Sequence, residues 1–196
     1  MATVREIVKE ALLWRGVIDP ENEPEDYDAK AGLRALIGLY QEDVVAKVPL
    51  QNIPVTTTTY TAGENERISH VSGAAVTVTL PQTIELDEAE ELPDGSSTTI
   101  RKPRDRSVIA VSGAAPQAWL YDAALGEWID ILALTLTSEA PLSRTHRDGL
   151  IGRLTVLLRY PGVALDPVAV DAANGFRSDM TLRWDVERDP VPHCFY

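Results

Sequence analysis

At 196 residues, with 44% hydrophobic and 24% charged side chains, the chain has the make-up of a globular protein, large enough for one sizeable core or two small ones. Thirty Asp and Glu against eighteen Lys and Arg leave a net charge of -12, which argues against a protein that grips nucleic acid by its phosphates. One cysteine, Cys194, rules out an internal disulfide, and three scattered histidines without CxxC or HExxH spacing predict neither a metal site nor any cofactor. No apolar run approaches the length of a membrane span, and the opening MATVREIVKE lacks a basic-then-apolar signal pattern, so a cytosolic origin is expected.

The first predicted element is a helix. Thr3 with Glu6 three residues on forms a capping box; Val4, Ile7, Val8, Ala11 and Leu12 make one apolar face, and Gly16 is placed to end the helix near Arg15. An acidic loop, IDPENEPEDYDAK, leads into a second helix. Pro24 suits its first turn, Glu25, Asp26 and Asp28 suit the dipole there, and Tyr27, Ala31, Leu33, Ala35, Leu36, Leu39 and Tyr40 supply an apolar side that fades near Val44 to Lys47.

From Ile53 the periodicity shifts to short segments rich in Val, Thr, Ile and aromatics, separated by Gly, Pro, Asn and Asp, which predicts an all-β module of about eighty residues. VSGAA occurs at Val71 to Ala75 and again at Val111 to Ala115, and reads as a repeated Ser-Gly turn between adjacent strands. Trp119, Tyr121 and Trp128 flank another turn as cross-strand aromatic partners. Residues 51–140 carry five basic side chains against thirteen acidic ones, so most of the acidity is here. It is concentrated in Glu85, Asp87, Glu88, Glu90, Glu91 and Asp94, followed by a basic run of Arg101, Lys102, Arg104 and Arg106. The acidic run lacks the spacing of a calcium loop, and the two runs together are expected to meet their opposites on a neighbouring subunit.

The clearest helical pattern spans Ser143 to Tyr160. Leu150, Ile151, Leu154, Leu157 and Leu158 line one face, Ser143 is the expected N-cap and Pro161-Gly162 the stop. Its stripe needs partner helices, and these lie before residue 50 and after Asp166, so the middle of the chain reads as an insertion. Asp166 can cap a fourth helix that starts at Pro167 and carries Val168, Val170, Ala172, Ala173 and Phe176. From about residue 181 the chain is expected to be extended, because it alternates apolar and polar residues and then carries Pro190 and Pro192. The expected fold class is therefore α+β, a bundle of about four helices with an inserted all-β module and an extended C-terminal arm. The corresponding segments are 1–50, 51–140, 141–180 and 181–196.

No GxSxG, phosphate loop or credible carboxylate pair is present, and His193 and Cys194, adjacent on an extended segment, point opposite ways, so no enzyme is predicted. The stretches REIVKEALLWRGVIDPE, AKAGLRALIGLYQEDV and DGLIGRLTVLLRYPGVALDPVAVDAANGFR, in that order and with an insertion before the third, resemble the head-to-tail adaptor (connector) proteins of tailed bacteriophages. The resemblance covers about half the chain. It implies a virion protein, made in the host cytoplasm, that assembles as a homo-oligomeric ring, in that family usually twelve-fold, beneath the portal protein. Such a ring docks the next tail component, a stopper, nozzle or tail tube, and lets DNA pass without binding it specifically. A free arm carrying Val186, Val191, Phe195 and Tyr196 would suit the portal. The alternative is a carbohydrate- or receptor-binding β module on a small helical domain of a phage tail, with Trp119, Tyr121 and Trp128 as its stacking platform.

Overall fold

The computed structural model describes residues 2–48, 50–55, 58–63, 65–70, 75–81, 103, 105–113 and 115–186, with the backbone alone for 50–55, 70 and 182–186. The chain is α+β and divides into two compact units, Met1–Val48 with Ile131–Tyr196, and Pro49–Asp130. No helix among the described residues is long and apolar enough to cross a membrane.

In the first unit, helix α1 (Val4–Trp14) begins as its sequence dictates: the Glu6 N–H donates to the Thr3 hydroxyl at 3.3 Å and the Thr3 N–H to the Glu6 carboxylate at 2.7 Å. These bonds hold the Glu6 carboxyl below its usual range, the backbone donor contributing most. The free N–H groups of Val4 and Arg5 donate to Ser138 and Leu136, so the returning chain closes the start of α1. Arg15 caps the other end and Gly16, at φ +71°, turns the chain away.

Helix α2 (Asp26–Leu39) starts two residues after Pro24 and buries Ala29, Gly32, Leu36 and Leu39. Tyr27, expected on the apolar side, is 80% exposed, because two residues along a helix is about 200° of rotation from Ala29. The expected fading takes the form of a π-helical turn, Tyr40–Val44, followed by a 3-10 turn, Val45–Lys47. Tyr40 is fully buried and donates to the Pro141 carbonyl at 2.6 Å.

Helix α3 (Arg147–Leu157) packs against α1, α2 and the last helix, α4 (Pro167–Val186). Its N-cap falls at His146, three residues later than the expected Ser143. Leu142, at φ +62°, and a chain of turns through Thr145 place Leu142 and Ser143 in the core, and the residue before the helix, His146, makes no side-chain cap. Leu150, Ile151 and Leu154 are buried as the stripe predicts, and Leu157 is half-buried. Neighbours on three sides also bury Gly152, Arg153 and Thr155, which an amphipathic reading leaves outside. Asp166 caps α4 by accepting the Val168 N–H at 2.9 Å, and Ala169, Ala173, Phe176 and Met180 form its buried stripe. Val168 lies one position off that stripe and is 64% exposed. The helix runs on through Val186, so residues 181–186 are helical where an extended arm was expected: nothing in that stretch breaks a helix, and Pro190 restricts only the residue before it.

The second unit holds strands β1 (Leu50–Val55), β2 (Thr59–Thr61), β3 (Glu66–His70), β4 (Thr77–Thr79), β5 (Val108–Ser112), β6 (Gln117–Asp122) and β7 (Glu127–Asp130). The chain alternates between two sheets. β1, β3 and β5 pair parallel, β2 and β4 pair parallel beside them in a second sheet, and β5, β6 and β7 then continue the first sheet antiparallel, giving the order β1-β3-β5-β6-β7. Ile68, Val111 and Trp119 of the large sheet meet Tyr60, Val76 and Val78 of the small one. Val108, Ala110 and Leu120, which alternate with them, are buried too, as befits strands covered on both faces. The second VSGAA copy closes β5 with Val111 and Ser112 and leads on toward its antiparallel neighbour β6, while residues 71–74 of the first copy lie outside the described residues.

Candidate interaction surface

Three features of the helical unit concentrate chemistry. The loop from α3 to α4 begins with a tight turn in which Pro161 and Gly162, the latter at φ +80°, are central, and the Val163 N–H lies 3.4 Å from the Tyr160 carbonyl. All eight residues from Pro161 to Val168 are exposed. Val163, Leu165 and Val168 expose 36%, 40% and 64% of their surface, and the only charge, Asp166, is occupied in capping α4. Apolar side chains grouped like this mark a contact surface, which scattered ones do not. Under the turn, the Tyr160 hydroxyl donates to Asp28 at 2.7 Å; burial and then that carboxylate push the phenol up to about 12. Arg15 also lies under the turn. It is 7% exposed, its Nη2 is 3.4 Å from the Tyr160 carbonyl, and its buried Nε and Nη1 have no acceptor among the described residues.

The second feature is an open cleft of about 430 Å3 between the start of α3 and the middle of α4. His146 meets Phe176 edge-on, with centroids 6.1 Å apart, and its Nδ1 is 3.8 Å from Asp179, while Arg147 pairs with Glu10. The cleft follows from close helix approach: a Cβ on Gly149 would fall 2.8 Å from Phe176 Cβ, and one on Gly152 2.7 Å from Ala172 Cβ. Two of its basic side chains, His146 and Arg147, thus approach carboxylates, and Arg144 lines the cleft as well.

The third is a buried ion pair. The π-helical turn brings Asp43, 2% exposed, to Arg153, 9% exposed, with Nε 2.5 Å from the carboxylate; Arg177 of α4 approaches it at 3.5 Å. Three helical segments are thereby locked together. Among the described residues, no three of His, Cys, Asp and Glu are grouped so as to hold a metal ion.

Of the residues singled out in the sequence, Val186 is the last of α4, and Val191, Phe195 and Tyr196 lie outside the described residues, as do His193 and Cys194. Glu85, Asp87, Glu88, Glu90, Glu91, Asp94, Arg101, Lys102 and Arg104 lie outside them as well. Arg106 is described, and it does not project as a free cation: at φ +66° it turns the chain into β5, its N–H donates to Tyr121, and its side chain, 20% exposed, approaches Asp105 at 3.6 Å. Of the three aromatic residues expected as cross-strand partners, Tyr121 and Trp128 pair, whereas Trp119 lies opposite Ile109 and Asp130. Tyr121 sits opposite Trp128 with ring centroids 5.4 Å apart, and the Trp128 indole donates to the Pro81 carbonyl at 3.1 Å. Tyr121 is 3% exposed, while Trp119, packed against the inter-sheet core, and Trp128 are half-buried.

Sequence reading missed Arg15 and Asp43, which it took as the end of one helix and the flank of another. The apolar run PGVALDPV, outside any helical period, was the available signal for the exposed loop. Comparison with protein-family models and with curated proteins finds no match to the chain.

Proposed function

We propose that this protein is a structural head-to-tail adaptor of a tailed phage, assembling as a ring beneath the portal that continues the DNA channel and docks the next tail component. The observation that carries the reading is that α1, α2, α3 and α4 share one core although the β unit separates the second from the third. That is the arrangement the resembling stretches require, with α3 at the centre and the Asp166-Pro167 start of α4 where the resemblance puts it. The net charge of -12 also suits a channel that DNA passes without sticking. In this reading the β unit is an insertion that decorates the ring, the residues after Val186 reach for the portal, and the protein works in the virion as a scaffold with no catalytic role.

Native mass measurement and electron microscopy of the purified protein, alone and with portal, test the reading. A closed ring of about twelve copies on the portal is expected, and removal of residues 187–196 should abolish that docking while leaving the melting temperature unchanged. A chain that stays monomeric in the presence of portal rings overturns the assignment.

A further inference from the structure

A guanidinium keeps its charge wherever it is placed, and burying one without a carboxylate is strongly unfavourable. Arg15 is in that position. Two of its three nitrogens are buried without an acceptor among the described residues and the third has only a 3.4 Å approach to a carbonyl. Asp28 accepts from the Tyr160 phenol at 2.7 Å. The Tyr160 carbonyl is shared, at 3.4 Å each, by Arg15 and by the Val163 N–H that closes the turn, so each bond is long. Directly after that turn comes the exposed apolar run to Val168.

We propose that Arg15 and the 161–168 loop form one docking site, and that its occupant is a second copy of this chain, which lays apolar side chains on Val163, Leu165 and Val168 and brings a carboxylate to Arg15 as the turn lifts. The choice of occupant follows from charge. With thirty Asp and Glu against eighteen Lys and Arg, a second copy is an acidic partner, whereas Arg15 supplies a cation whose buried Nε and Nη1 find no acceptor among the described residues. A charge uncompensated in the free subunit and compensated in the assembly stabilises the assembled form over the free one. The inference rests on the ring reading and adds to it the contact through which subunits join.

The test uses the full chain with Arg15→Met and, separately, Leu165→Asp, each followed by sedimentation for self-association and by thermal unfolding at a dilution where the chain is monomeric. Arg15→Met should leave the monomer's melting temperature unchanged or raise it, since it removes an uncompensated charge at similar volume, and should weaken self-association about tenfold or more. Leu165→Asp should weaken self-association with no change in melting temperature. A marked fall in the melting temperature of the Arg15→Met monomer overturns the proposal, because the guanidinium would then be satisfied within the subunit. Wild-type rings matched by rings of both variants overturn the docking site and leave the ring reading standing, whereas a wild-type chain that never self-associates overturns both.

Discussion

Asp43 is buried and enclosed between Arg153 and Arg177. Asp43→Ala would leave Arg153 buried with only the exposed Glu42 at 3.7 Å, so it should cost about 3–5 kcal/mol in denaturant unfolding. Adding Arg153→Met to that variant should recover most of the loss, because two apolar side chains replace the pair without stranding a charge. Tyr160 makes a different kind of prediction. Its folded value is raised to about 12 from 10.0, so the stability it contributes is fully present below pH 10.0 and is lost as pH rises through about 12. In a spectrophotometric titration of the folded protein one tyrosine should ionise about two pH units late, and Tyr160→Phe should abolish that late step at a cost of about 1 kcal/mol in stability. Neither residue announces its role in the sequence. Asp43 and Arg153 are 110 positions apart and meet only because a π-helical turn rotates the end of the second helix, a local irregularity that hydrophobic periodicity does not encode. Thr3 and Glu6, by contrast, are three positions apart and need only each other, which is why that cap was legible.

At the scale of elements, the helices read from sequence are the four that form, and their errors have physical causes. The α3 helix starts late because Leu142 takes a left-handed conformation that side-chain spacing cannot reveal, and α4 continues past residue 181 because an alternating pattern without a breaker is compatible with either period. The strands of the second unit were legible as strands, but their parallel pairing was not, since a strand's own sequence says little about which neighbour lies beside it. The close approach of α3 and α4 was likewise hidden, because glycine in a helical pattern reads only as a weak spot. Two substitutions separate the two kinds of glycine. Gly152→Ala places a methyl 2.8 Å from the Ala169 carbonyl, and backbone cannot step aside cheaply, so about 1–3 kcal/mol should be lost. Gly175→Ala meets nothing within 4 Å in the middle of α4 and should gain about 0.5–1 kcal/mol, so opposite shifts in melting temperature are expected from the same chemical change.

For the whole molecule, the decisive question is whether the two compact units fold separately. Each has its own set of buried side chains: Val4, Ile7, Leu12, Leu36, Leu150 and Leu154 in the helical unit, and Ile68, Val76 and Val111 between the sheets. Excising the β unit is therefore expected to leave a folded helical body, provided the replacement is long enough. The first strand of that unit, β1, and the last, β7, are opposite edges of one five-stranded sheet, so four strand spacings, about 19 Å, separate them sideways. Following the pairings, β1 and β7 also run the same way, so the chain enters at one end of the sheet and leaves at the other, which adds to the span. A linker of a few residues cannot cover that distance, whereas roughly twenty Gly/Ser residues have a root-mean-square reach of about 25 Å. Replacing residues 49–130 with such a linker should give a monomer that unfolds in one cooperative transition with helical circular dichroism, and shortening the linker to four residues should broaden or abolish that transition. If the twenty-residue version also melts without cooperativity, the helical unit depends on the β unit for its fold, and the two form a single folding unit.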